Sequence, residues 1–137
     1  MADVLTPEQR SFNMSRIRAR GNATTELVVC RAFRAAGVRG WRRHLNLPGR
    51  PDFAFPASKL AVFVHGCFWH GCPKCYRAPS SHRRYWKAKV VSNRRRDRRV
   101  RRELGARGWR VVAVWEHALA TEARVARVVA RVRRTLR

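Results

Sequence analysis

LAVFVHGCFWHGCPKCY, Leu60 to Tyr76, is the stretch on which the reading of this chain turns. Its first six residues, Leu60 to His65, form an apolar run closed by a histidine, the pattern of a strand buried on both faces. The composition then switches to groups that bind metals or meet nucleobases: three of the four cysteines, two of the five histidines, counting His65 and His70, and the pair Phe68-Trp69. Cys67, Cys72 and Cys75 follow the spacing C-x4-C-x2-C, and one more ligand completes a tetrahedral Cys3His zinc site. His117 is the preferred fourth ligand, with His70 and His82 as alternatives. It follows a second apolar run, Trp109 to Trp115, and if that strand lies parallel to Leu60–His65, both present ligands at one edge. Structural zinc contributes apparent free energies of ~10–16 kcal/mol, enough to hold a loop that has no core of its own. Cys30 stands apart, at an apolar position of a helix, and reads as a buried structural thiol.

Upstream of the central run, Trp41 to Leu45 reads as a strand, Leu47-Pro48-Gly49-Arg50-Pro51 as a turn, and Asp52 to Phe55 as a short second strand. Thr6-Pro7-Glu8-Gln9 opens a first helix that runs to about Arg20. A second helix, capped near Thr24, carries Leu27, Cys30 and Phe33 on one face and stops at Gly37. Downstream, Ser81 to Leu104 reads as a long helix with Trp86, Val90, Asn93, Asp97, Val100 and Leu104 on one stripe, where Asn93 and Asp97 are polar exceptions. Leu119 to Leu136 is a final amphipathic helix presenting Val125, Val129, Val132 and Leu136. The order implies an α/β fold, a small mixed central β-sheet flanked by helices, in one domain spanning residues 1–137.

Lys and Arg number 32 against 8 acidic residues, a formal net charge of +24, and 28 of the 32 are arginine. Self-repulsion at that density calls for a polyanionic partner. Seven arginines between Arg94 and Arg102 are either a solvated helix face or phosphate contacts, and the overall charge favours contacts. No window approaches the ~20 continuous apolar residues of a spanning helix, and MADVLTPEQ lacks the pattern of a signal peptide. A cytoplasmic location is expected, where clustered thiols bind metal rather than form disulfides.

With so few carboxylates, Asp52 is informative. It opens a strand directly after Pro51 and, brought beside His65 and His70, could hold a divalent ion against phosphate. A neutral imidazole suits removal of a proton from the attacking water. The alternative is a carboxylate that merely caps the Pro48-Gly49 turn. Glu26, in the first turn of the second helix, suits the helix dipole.

LPGRPDF (Leu47 to Phe53), VFVHGCFWHGCPKCY (Val62 to Tyr76) and GWRVVAVWEHAL (Gly108 to Leu119) together resemble the very short patch repair endonuclease family, over about Ser11 to Leu119. The resemblance implies a restriction-endonuclease-like fold and Mg²⁺-dependent nicking of DNA 5′ to the thymine of a T:G mismatch. It also implies a DNA-clamping helix over residues 1–20 and a nuclease core over 21–137. Asp52 matches the metal-binding aspartate, His70 the general base, His65 a phosphate-side or metal-shell histidine and Glu26 a further acidic residue. Val64 stands where the family often has threonine, and its main-chain carbonyl would contact the magnesium. Cys67, Cys72 and Cys75 match zinc positions. Cys72 and His117 replace a histidine and a cysteine of the best-known relative, preserving three thiolates and one imidazole. Phe68, Trp69 and Trp86 match aromatics that wedge into the base stack, and Met14 a side chain inserted from the opposite groove. Covering the zinc is the alternative role for Phe68 and Trp69. A cytosine methyltransferase and mismatch-repair proteins are suggested as partners, and a nick needs only one active centre, which permits a monomer. Competing with this reading are a non-catalytic zinc-containing DNA-binding module and a restriction-like nuclease acting on matched DNA.

Overall fold

Leu60–His65 sits at the middle of the sheet because its residues can be buried on both sides, and the chain builds a layer against each. In the computed structural model, which describes residues 25–67, 70–77 and 79–136, the first strand β1 (Phe53–Phe55) pairs antiparallel with β2 (Leu60–His65), Phe53 opposite Val62. On the other side β3 (Arg110–Trp115) runs parallel to β2, Leu60 opposite Arg110 and His65 opposite Trp115. A parallel pair needs a long crossover. Helix α2 (Arg83–Ala106) supplies it.

Strand alternation divides the core. Leu60, Val62 and Val64, with Val112 and Val114, pack against Val29, Cys30 and Phe33 of helix α1, described over residues 25–35, and against Val128, Val129 and Val132 of α3 (Glu122–Leu136). Ala61 and Phe63 face the other way, onto Val100 and Leu104 of α2. Phe33 is fully buried, with Phe53, Phe55 and Trp41 rings at centroid distances of 5.2, 5.8 and 5.9 Å. Gly37, at φ +70°, ends α1, and the Val38 amide donates back to Phe33 O at 2.9 Å, as expected of a helix stop. Cys30 is buried in the core.

Three local expectations change. The strand expected at Trp41 to Leu45 shrinks to one bridge, Arg42 to Ala54, because Gly40 (φ +85°) and His44 (φ +53°) leave the extended region on either side of it. The long helix begins at Arg83, since His82 is left-handed at φ +56°, and it runs through Gly105 to Ala106. The final helix begins at Glu122, with the Arg124 amide donating to Thr121 Oγ1 at 3.2 Å, because Glu116–Leu119 forms a separate 3₁₀ turn after β3. The first helix, Thr6 to Arg20, with Met14, and the pair Phe68-Trp69 lie outside the described residues. Among the described residues, no helix is long and apolar enough to cross a membrane.

Candidate active site and metal centre

Parallel register assembles the Cys3His cluster. Because His65 lies opposite Trp115, Cys67 and His117, each two residues further on, leave the sheet side by side. His117 Nδ1 is 3.4 Å from Cys67 Sγ, 3.5 Å from Cys72 Sγ and 3.4 Å from Cys75 Sγ. With Zn–S near 2.3 Å and Zn–N near 2.0–2.1 Å, a tetrahedral ion places such atoms about 3.5 Å apart. The four ligands therefore fit a tetrahedral ion of that size, and His117 takes the fourth place. The Cys67 amide donates to Glu116 Oε1 at 3.3 Å, and Arg124 Nη1 donates to His117 O at 3.0 Å, so both sides of the centre are anchored. Burial and the neighbouring thiols push the Cys67 thiol up to about 12, with His117 opposing. Burial opposes ionisation of Cys72 too, but the amides of Lys74 and Cys75 bring it below the usual thiol value. Bunched thiols of this kind resist ionising together unless a cation joins them.

On the sheet edge next to this loop, two ionisable groups flank the C-terminal end of β2. The first holds Asp52, Glu26 and His44, whose ligand atoms lie within 4.8 Å of one another. Asp52 precedes β1, and its Oδ2 accepts the Val64 amide N–H at 2.6 Å, which sets the main chain of Val64 against the carboxylate. Glu26, 5% exposed, projects from the first described turn of α1 to pair with Arg43, and His44 Nε2 lies 3.2 Å from its Oε2. Burial, then hydrogen bonding with Glu26, pushes Asp52 from its usual 3.8 up to about 8, against the Val64 amide and Arg43. A buried and a half-buried carboxylate facing one another in this way suit a hard divalent cation.

The second group is His65, His70 and Asp97. The imidazole rings of His65 and His70 are 4.1 Å apart between centroids, and His70 Nδ1 donates to Asp97 Oδ2 at 2.6 Å. Burial disfavours the Asp97 carboxylate, but the bond from His70 and the charges of His70, His65 and Arg96 hold it below its usual value. From the next turn of α2, Arg94 donates to the carbonyls of His70 and Gly71. His70 thus sits between Cys67 and Cys72, its loop tied to the metal ligands on one side and to α2 on the other.

Among the described residues, the structure places Asp52 with Glu26 and His44 rather than in one ligand set with His65 and His70, which join Asp97 instead. Trp86 is 3% exposed on the inner face of α2, against the ring of Tyr85 at 4.8 Å, and so supports the fold in this arrangement rather than presenting its ring. Sequence reasoning missed Asp97, Arg43 and His44 as site residues. Asp97 had a signal, as a carboxylate on an otherwise apolar helix stripe, whereas nothing in the local pattern of Arg43-His44 points to Glu26.

Comparison with known proteins identifies the lineage. Residues 2–77 match the family described as DNA mismatch endonuclease Vsr. The type II nicking enzyme V.XorIIP of Xanthomonas oryzae pv. oryzae is 40% identical over 135 residues, covering 94% of this chain and 98% of the relative. The DNA mismatch endonuclease Vsr of Escherichia coli K12 is 39% identical over 121 residues, covering 87% of this chain and 76% of the relative. With more than half of the chain matched and relatives aligned along nearly its whole length, the chain belongs to the Vsr family of DNA mismatch endonucleases.

Proposed function

We propose that this protein nicks one strand of duplex DNA 5′ to the thymine of a T:G mismatch by Mg²⁺-dependent hydrolysis of the phosphodiester, in a single restriction-endonuclease-like domain. The observation that carries the reading is the pair of groups flanking the end of β2: the Asp52 and Glu26 carboxylates with a main-chain amide on one side, a histidine pair with its own carboxylate on the other. Asp52, with the main-chain carbonyl of Val64, would hold magnesium, which supplies charge neutralisation at the phosphate and polarises water. His70, its Nδ1 engaged by Asp97, takes the proton of the attacking water at Nε2, and Asp97 keeps the ring aimed and stabilises the imidazolium that forms. His65, its ring tilted against that of His70, faces the phosphate. Glu26 supports Asp52 and is itself held by Arg43 and His44. The Cys3His centre, read as zinc, holds the loop that carries His70 and takes no part in the chemistry.

Phe68, Trp69 and Met14 are read as wedges into the base stack. Unstacking is cheapest at a mismatch, so the wedge also selects. Residues 1–20 clamp the duplex, and the protein works as a monomer in the cytoplasm. The test is nicking of T:G and T:A duplexes of one sequence, with and without Mg²⁺. A nick confined to the thymine strand of the T:G duplex and dependent on metal is expected. Equal cutting of both duplexes makes it a nuclease for matched DNA, and binding without cutting makes it a DNA-binding module.

A further inference from the structure

The outward side of α2 plays no part in the site just described. At about 100° per residue, the helix that turns Trp86, Asn93, Asp97 and Leu104 inward sends Arg84, Arg95, Arg99 and Arg102 out on the opposite side, all exposed. Arg95, Arg98, Arg99 and Arg102 line an open groove of about 850 Å³ whose other walls include Ala88 and Ser92. Arg98 also lines the small cavity that contains His65 and Asp97, so the positive surface continues from the edge of the centre round to the far side of the helix.

This arrangement costs the helix something. Arg95–Arg98, Arg95–Arg99, Arg98–Arg102 and Arg99–Arg102 fall at the spacings where like charges destabilise a helix. Among the described residues, Glu103 gives the stripe its one ion pair, 3.8 Å from Arg99 and exposed. A surface that only had to be soluble would mix in carboxylates.

The chemistry selects the occupant. Guanidinium groups match phosphate oxygens in pairs. The groove lacks the buried aromatic anchors on which protein partners depend, and the family acts on DNA. From Arg95 to Arg102 the cluster runs about 10 Å at about 1.5 Å per residue, against a duplex charge every ~1.7 Å of axis, so phosphates are available to each arginine. We infer that the outward face of α2 is a second DNA-binding surface, which takes the phosphate backbone of duplex away from the catalytic centre. It rests on the chain's belonging to a DNA-acting family and not on the assignment of the catalytic residues.

The test is the triple variant Arg95→Gln, Arg99→Gln, Arg102→Gln, checked for fold by circular dichroism and melting, with Arg95→Gln alone should the triple not fold. Binding to a long matched duplex is followed against salt, so nicking is not needed. Loss of three phosphate contacts lowers the slope of log K against log salt by about 2.7, and the single variant by about 0.9. The saturated nicking rate on a short mismatched duplex stays at the parent value. A second arm asks whether protein on bead-bound duplex captures a labelled second duplex. Capture by the parent and not the variant means the face takes a separate segment. Absence of capture with a lost gain in affinity on longer DNA means it takes the flank of the same molecule. Unchanged salt slope and length dependence overturn the inference, including the case in which the face serves an acidic protein. A parent that binds DNA with the expected slope but fails to nick leaves this surface standing and removes the reading of the centre.

Discussion

His70 Nδ1 and Asp97 Oδ2 are 2.6 Å apart, a bond that joins the loop carrying the Cys3His cluster to the inner face of α2 across 27 positions of sequence. It selects the tautomer in which Nδ1 carries the hydrogen, leaving proton acceptance to Nε2. Asp97→Asn should therefore lower the single-turnover nicking rate ~10²-fold with little change in affinity for DNA. The pair also couples to stability. Asp97 is held below its usual 3.8, so its contribution is present above about pH 4 and lost as pH falls further, and melts of parent and Asp97→Asn should converge in acid. A variant that nicks like the parent would remove Asp97 from the mechanism.

Asp52 has the opposite sign. It ionises near 3.8 when unfolded and near 8 when folded, so between those values folding takes up a proton. Stability complete below about pH 4 is lost as pH rises toward about 8. Asp52→Asn, which carries no such charge, should melt above the parent, with the gap widening from about pH 5 to about pH 8 and each kcal/mol worth about 3–5 °C. Mg²⁺ should raise the parent's melting point and leave that of the variant in place, and the variant should not nick. A constant gap across the range would show that Asp52 is already ionised without metal.

How far the sequence reveals this molecule follows from what kind of interaction decides each part. β2 and β3 are legible because continuous apolar runs can only be buried, and the Cys3His set is legible because thiol spacing is local and parallel pairing adds His117. The expected Trp41 to Leu45 strand fails because β propensity there yields to the backbone turns at Gly40 and His44, which free Trp41 to pack on Phe33 and Phe53. The partition of carboxylates between the two groups is set by tertiary packing alone: Asp97 reaches His70 only once α2 lies on the sheet, and Arg43 reaches Glu26 only once the loop after α1 folds back. Asp97 and Asn93 as polar exceptions on an apolar stripe were the visible trace of that packing.

The Cys3His centre should act on nicking only through the loop that carries His70. Cys75 is the exposed ligand, so Cys75→Ser can be made without opening a core cavity. Purified parent should contain one zinc per chain by elemental analysis, and the variant less. Stripping zinc with a strong chelator should abolish nicking in a way that Mg²⁺ alone cannot restore and Zn²⁺ followed by Mg²⁺ can, because the loop holding His70 loses its anchor. Full nicking by zinc-free protein would detach the centre from the position of His70.

Two glycines distinguish strain from displacement. Both need left-handed backbone, Gly37 at φ +70° and Gly71 at φ +62°, so alanine at either pays a conformational cost of about 1 kcal/mol. At Gly37 nothing lies within 4 Å of an added Cβ, whereas at Gly71 it would meet Val90 Cγ1 at 2.6 Å and Arg94 Nη2 at 2.7 Å. Arg94 is the residue that holds the His70 and Gly71 carbonyls, so Gly71→Ala must push the loop off α2 or push Arg94 off the loop. Gly37→Ala should lower the melting temperature slightly and leave nicking at the parent rate. Gly71→Ala should cost a further ~1–3 kcal/mol and lower the nicking rate at saturating DNA, since His70 moves with the loop. Equal nicking by the two variants would mean that the position of His70 does not depend on its seat against α2.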